Sequence, residues 1–578
     1  MEKSFEHTGF FFSRVWVNPY SIGDFGESLP GIADHPLLNL QINPAFINAD
    51  SAFNGYGYIN FRNSREKQTS SYGPMYYDCC MPYPWYYAES RRTTEPLFSA
   101  AWFTRLFSLN SSDVRGGITY QSIFIDEDYH DIPQGVYRSA EGLDYSGNKS
   151  ADMENYEVTD RYRGADNMHQ QGHFISLFTG FSAAPAVDIG IRGSGAWYTR
   201  DGRYEHTTQW DNGMYTDEKS RSSYSKNRDQ NYSHYDITAG ITARVLHNAV
   251  LGASAGYLWG HIDQSQEKDH ASLYQNGIID QGTQWYYYNS SGQSRETWEH
   301  KGSSAYGGLN LKATPENGPS FTLFYVIGRQ DIDISLSGTS MDTSYSNNHH
   351  ESTDWRYSSE YSSHLLDTRT GGGTWTGMQH HMGAGLRWPV HKKTCVSTGI
   401  HIRLSRKTIE TVEQVYADRG RQGYYHSGSS SNDWISSTEE DKDLDWDFSS
   451  EIQTVQIPVF ITHRLSKSVK LIFGVTRTMT RHTISDVTTA YFDFRTTNEN
   501  GTIGKKEKFG ERYTEPEEIR NTVSTSLLFG LTITPAPLFD IQILTSPRYE
   551  QTSYTTDFKN FQWWIDFNFY PGKALNRR

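Results

Sequence analysis

The sequence predicts an all-β fold: a transmembrane antiparallel up-and-down β-barrel of about sixteen strands, with fourteen as the alternative count, long extracellular loops and short periplasmic turns. Apolar and polar residues alternate with a period of two over segments of about ten residues. The gaps between these segments are alternately short and long. Aromatic residues reach 14% of the 578, with 39 Tyr and 15 Trp, against 21% charged residues. Tyr and Trp join an apolar ring to a polar tip, which favours them where hydrocarbon meets water. A Tyr-rich β-sandwich is the soluble alternative, but it has no reason to alternate its gap lengths.

The alternation is plainest at Tyr235, Ile237, Ala239, Ile241, Ala243 and Val245, with Asp236, Thr238, Gly240, Thr242 and Arg244 between them. It returns at Val523, Leu527, Phe529, Leu531 and Ile533, and at Phe561, Trp563, Ile565, Phe567 and Phe569. Sixteen such segments centre near residues 57, 103, 121, 178, 194, 239, 256, 308, 328, 382, 400, 456, 475, 527, 542 and 565. Short connections follow every second one, among them Ala183-Ala184-Pro185-Ala186, Leu246-His247-Asn248 and Leu465-Ser466-Lys467. Short turns at one end, long loops at the other and an even strand number place both termini on the periplasmic side. Between Phe321 and Leu336 the apolar phase shifts from odd to even positions, which predicts a bulge near Arg329 to Asp331.

A net charge of -14 with no extended Lys/Arg cluster argues against a nucleic-acid partner. No run of about 18 apolar residues is present, so only a closed barrel could cross a bilayer. Met1 to Val17 lack a basic stretch followed by a long apolar one, so a barrel of this kind is expected to be a trimmed, mature chain. The expected location is the bacterial outer membrane, in contact with its lipid and lipopolysaccharide, with a surface or periplasmic protein as a further partner. Cys79, Cys80 and Cys395 make no disulfide scaffold; the adjacent pair is awkward to bridge and fits unpaired thiols as well.

Residues 1–52 precede the regular pattern, 53–571 form the barrel, and 572–578 are a periplasmic tail. The first stretch is apolar enough to need packing, as a plug in the barrel or a docked periplasmic strand. Asn43-Pro44-Ala45, just before the first strand, resembles the N-terminal Asn-Pro-Ala of the long-chain fatty-acid transporter barrels, and the run Leu37 to Phe46 is similar to the type IX secretion partner barrels of Bacteroidetes. The first resemblance implies a hatch at Asn43, Pro44 and Ala45 that blocks the lumen and gates a hydrophobic ligand path. More strands and longer loops than that family has put a fatty-acid substrate in doubt.

Asp443, Asp445 and Asp447, in an acidic run, are candidate ligands for a structural Ca²⁺, the one cofactor considered. Phe448 stands where the EF-hand template needs Gly, and a solvated acidic loop is the competing reading. His349-His350 and His380-His381 are adjacent pairs, and neighbours on a strand face opposite sides, so His380 and His381 cannot readily share an ion. No organised Asp/His or Ser/His constellation emerges, so no catalysis is expected. The expected lumen row is Asp188, Arg192, Asp236, Arg244, Lys312, His381, Arg387, His401, Arg403, Lys470, Asp540 and Asp566, charges of both signs that either focus a field across a pore or close it by pairing. Two functions follow: a passive or gated channel for small or amphipathic solutes, or a non-catalytic scaffold that docks a surface protein, lipoprotein or secretion machinery through its long loops.

Overall fold

The computed structural model describes residues 16–20, 25–33, 35–63, 66–72, 86–92, 98–109, 112–130, 135–139, 156–212, 218–246, 248–276, 284–315, 318–352, 356–514, 517–551 and 556–572. Sixteen strands pair antiparallel, each with its neighbour in the chain: Gly55–Asn63, Phe98–Leu109, Ser112–His130, Tyr156–Ala184, Val187–Asn212, Glu218–Leu246, Ala249–Asn276, Gln284–Ala313, Ser320–Glu351, Arg356–His391, Thr394–Ser427, Ser430–Arg464, Val469–Glu499, Glu518–Ala536, Phe539–Gln551 and Thr556–Phe569. The first closes on the last, Gly57 opposite Phe569 and Asn63 opposite Trp563, so the sheet is a ring. Every predicted segment centre falls within one of these strands. Four further segments, Glu66–Tyr72, Tyr86–Arg92, Gly135–Ser139 and Thr502–Thr514, pair beyond the ring.

Strand alternation sends odd and even residues to opposite faces. Outside, Leu177, Ile191, Ile237, Ile241, Leu251, Leu309, Leu323, Leu386, Ile400, Phe529 and Ile543 are exposed and lie toward the end of the short turns. An apolar belt of this extent is what a bilayer covers and water does not. Trp197, Tyr235, Tyr257 and Trp259 stand at its far margin, the Trp197 indole donating to the Tyr235 hydroxyl at 2.9 Å and the Tyr235 ring stacking on Trp259. From Tyr235 to Val245 the belt takes up about the 9–11 residues that a tilted spanning strand needs. No helix among the described residues is long and apolar enough to cross a membrane.

The strands run far past that belt on one side. Arg356–His391 has 36 residues and Ser430–Arg464 has 35, whereas Phe98–Leu109 has 12 and Thr556–Phe569 has 14. At about 3.4 Å per residue the longest would measure ~120 Å along the chain, several times the ~30 Å hydrocarbon core. The barrel therefore has a tall wall that stands in water.

Contrary to expectation, no bulge occurs near Arg329 to Asp331. The pairing of Ser320–Glu351 with both neighbours runs without a register shift. The apolar residues change face because the surroundings change: Leu323 faces lipid, whereas Ile332, Ile334 and Leu336, beyond the belt, turn into the lumen and are buried with Leu258, Ile262, Trp298, Trp375, Ile409 and Trp446. A polar inner face therefore describes only part of the barrel.

At the top of the wall, Thr502–Thr514 pairs with Val487–Glu499 through a tight hairpin at Asn500-Gly501, whose φ values of 52° and 84° suit these two residue types. Arg495 binds Glu440 at 2.6 Å and both oxygens of Glu511 at 2.8 and 3.2 Å, over the stacked rings of Phe492 and Phe509. Hydrogen bonds from Arg495 and then Tyr513 hold the Glu511 carboxyl down at about 2. A depressed carboxylate stabilises the fold above its ordinary value of about 4.3 and loses that effect as the pH falls toward 2. Pepsin should thus cut the hairpin faster in Glu511→Gln than in wild type at pH 4.5, with the ratio approaching one at pH 2; a ratio independent of pH would refute the assignment.

Candidate functional site

The described residues between 16 and 54 lie against the inner wall. Two short helices, Phe25–Ser28 and Pro36–Ile42, lead to Phe46–Ala49. Pro36 opens the second helix, where its missing N–H costs nothing, and His35 caps it, its Nδ1 accepting from the Leu37 amide at 3.3 Å. Tyr20, Phe25, Leu29, Ile32 and Leu38 pack on Phe460, Ile472, Leu528, Leu544 and Trp564. Val17, Leu37, Leu40, Ile42, Phe46, Ile47 and Phe53 pack on Tyr56, Tyr58, Phe103, Phe178 and Phe324. Phe25, Leu29, Leu38 and Ile47 are completely buried, each stabilised by about 1.5–3 kcal/mol relative to water. Four such side chains suffice to keep the segment from hanging free as a tail.

Asn43, Pro44 and Ala45 occupy a trough made by glycine. Gly180, Gly190 and Gly240 are direct cross-strand neighbours on three successive strands. A β-carbon on Gly190 would run into the Pro44 carbonyl, and one on Gly240 into Asn43 and Pro44. Asn43 uses both ends of its amide: Oδ1 accepts from the Ala45 amide at 3.0 Å, and Nδ2 faces the carbonyls of Ile241 at 3.2 Å and Ala253 at 3.0 Å and Oδ1 of Asn310 at 3.0 Å. Aspartate would offer only acceptors here. Arg115 gathers the next turn, its Nη1 donating to the carbonyls of Ile47, Asn48 and Asp50 at 2.8, 2.7 and 3.0 Å.

Two arginines hold the start of the segment. Arg192 is fully buried; its Nη2 donates to both Asp236 oxygens at 2.6 and 2.5 Å, and its guanidinium lies 3.8 Å from the Trp16 ring centre. Arg62 donates to the Asn18 carbonyl at 3.0 Å and lies 3.6 Å over Trp564. Beside it Asp566 accepts from Tyr58 at 3.1 Å and from Asn60, while Tyr56 donates to Asn568 at 2.8 Å.

The structure places the predicted row as follows. Asp188, Arg192, Asp236, His401 and Asp566 are buried on the inner face. Arg244 stands at the turn-end rim, 3.8 Å from Asp188, which accepts from Ser182 at 2.5 Å. Lys312 Nζ is 5.9 Å from the Phe46 ring, and Asp540 accepts from Thr534 at 2.6 Å. His381 and His401 meet at 3.2 Å, whereas His380 meets Tyr325 on the outside. Arg387, Arg403 and Lys470 share the parity of inward neighbours Gly385, His401 and Ile472. Asp443, Asp445 and Asp447 share the outward face of one strand in the tall wall, opposite in parity to buried Trp446. The Asp445 carboxyl is pushed up by partial burial and by its two neighbours. Cys395 is a free thiol; Cys79, Cys80 and residues 1–15 and 573–578 lie outside the described residues.

The sequence reading missed Arg62, Arg115, Trp16 and the glycine trough. An isolated arginine carries no spacing signal, but Gly180, Gly190, Gly240 and Gly252, at inward positions of four successive strands, could have marked a surface built for close backbone approach.

No family model and no curated protein matches the chain. Among solved structures, the toluene transporter TodX of P. putida is 11% identical over 68% of this chain and 96% of its own, with a TM-score of 0.27. A TodX mutant titled as a monoaromatic hydrocarbon channel is 9% identical over 93% and 96%, with a TM-score of 0.31. The siderophore receptor PirA of Acinetobacter baumannii is 8% identical over 89% and 80%, with a TM-score of 0.24.

Proposed function

We propose that the chain is a non-catalytic gated channel or transporter of the bacterial outer membrane for small or amphipathic solutes, with residues 16–54 as the gate. The observation that carries this reading is the seat of that segment. It is held by packing, by Asn43 and by two arginines, all non-covalent, on a trough that accepts backbone closely. Beyond it the interior is packed, with Trp298, Trp375 and Trp446 buried among Glu296, Gln330, Lys407 and Glu413, so a solute path there would run past both polar and apolar groups. In planar bilayers the full chain should conduct little, and a chain lacking residues 1–52, verified as a folded barrel by heat-modifiable gel migration, should open steady channels. Silence in both would sink the proposal.

The scaffold reading draws on the tall wall, where Val412, Tyr424, Ile435, Tyr491, Ile503 and Tyr513 are exposed beyond the lipid belt. A partner that co-purifies in equal amount from native membranes, on a barrel that stays closed when the segment is deleted, would favour it.

A further inference from the structure

We propose that His261, Asp263 and Glu299 form a site for a divalent transition-metal ion on the outer face of the barrel, just beyond the aromatic margin of the lipid belt. The neighbouring strands Ala249–Asn276 and Gln284–Ala313 create it. His261 and Asp263 are two apart on one strand and share its outward face; Glu299 is the direct cross-strand partner of Asp263. Trp259, the next outward residue toward the turns, belongs to the aromatic margin, which fixes the height of the site.

His261 Nε2 lies 2.8 Å from Asp263 Oδ1 and 3.4 Å from Glu299 Oε1, and one donor atom from each of the three residues falls within 4.8 Å of the other two. Among the described residues, His270 with Asp342, His364 with Asp418 and the half-buried His349 with Glu351 each form an ion pair with one carboxylate. Such pairs are ordinary surface contacts of little worth. The difference at His261 is that two carboxylates converge on one ring nitrogen. A single N–H can satisfy one of them and leaves the two anions repelling, whereas a dication in place of that proton satisfies all three.

Bonds of about 2.0–2.2 Å in a tetrahedral site set neighbouring donors about 3.3 Å apart. The 3.4 Å separation already fits, and the 2.8 Å one must open by about 0.5 Å, which half-exposed side chains can do. The two carboxylates also border a groove of about 420 Å³ beside the cluster, whose other walls, among them Asp229, Thr297, Ser335, Trp298 and Leu336, are of mixed polarity. Imidazole with two carboxylates selects Zn²⁺ or Co²⁺ over Mg²⁺ and Ca²⁺, which prefer all-oxygen shells. All three ligands rise from the sheet, so the fourth position faces outward and takes an outside oxygen donor. Lys301, across from His261, is the rival cation.

The test is a calorimetric Zn²⁺ titration of the full chain in detergent after EDTA treatment, with Co²⁺ absorption as a second readout. Wild type should bind one Zn²⁺ at this site and give the intense visible bands of four-coordinate Co²⁺. His261→Ala and the pair Asp263→Asn with Glu299→Gln should each weaken binding at least tenfold and lose those bands, and His364→Ala should leave both unchanged. Unaltered gel migration of each variant separates ligand loss from misfolding. No saturable Zn²⁺ binding, wild-type binding by His261→Ala, or equal binding of Ca²⁺ would overturn the proposal.

Discussion

Asp236→Asn is expected to destabilise the barrel by about 3–5 kcal/mol, because it leaves the Arg192 charge buried and unpaired. Both side chains of the pair have no solvent exposure, so neither water nor salt can replace the lost partner. The change is nearly isosteric, which excludes a cavity as the cause. The double variant Arg192→Met with Asp236→Leu removes both charges at similar volume and should recover most of the barrel's stability, since a buried pair often gains little over apolar replacements. It should not restore the seat of the N-terminal segment, because the guanidinium face over Trp16 is gone. Guanidinium unfolding in lipid vesicles measures the first effect, and protease cleavage within residues 16–54 the second. If Asp236→Asn unfolds at the wild-type midpoint, or if the double variant is as unstable as the single one, the pair is not the anchor argued for.

The sixteen strands were legible because alternation reports a boundary between two solvents, and Tyr235 to Val245 shows lipid on one side and a packed polar lumen on the other without interruption. The ninth strand shows where that logic stops. In the sequence alone a switch of apolar parity reads as a bulge, although it marks the height at which lipid ends and the inside becomes the drier face; Leu323 and Ile332 obey the same physical rule in different surroundings. In the candidate site, Arg192 and Asp236 could be placed on the inner row from parity, but their pairing could not, since they are 44 residues apart on strands whose register the sequence does not state. Arg115 and Arg62 were invisible for a similar reason: each is defined by carbonyls of a segment far away in the chain. Asn43, Pro44 and Ala45 stand out in the sequence only through a resemblance, and what holds them is the glycine row beneath.

That row yields the most selective test of the proposed gate. In Gly240→Val the new side chain must occupy space held by Asn43 and Pro44, whereas the strand itself gains a residue type it favours. Overpacking of this kind costs about 1–3 kcal/mol, and since each 1.4 kcal/mol is tenfold, the docked segment should lose roughly 5- to 150-fold in its equilibrium with a displaced state. The barrel should still assemble and migrate as folded, while proteolysis within residues 16–54 accelerates and conductance in planar bilayers rises. Gly193→Val is the matched control: it lies on the same strand as Gly190, and its β-carbon would meet nothing within 4 Å. If both variants behave like wild type, the trough does not seat the segment. If both fail to assemble, the effect belongs to the strands and not to the gate. Only a difference between them, with Gly240→Val open and Gly193→Val closed, ties channel opening to the few ångströms between the wall backbone and Asn43-Pro44.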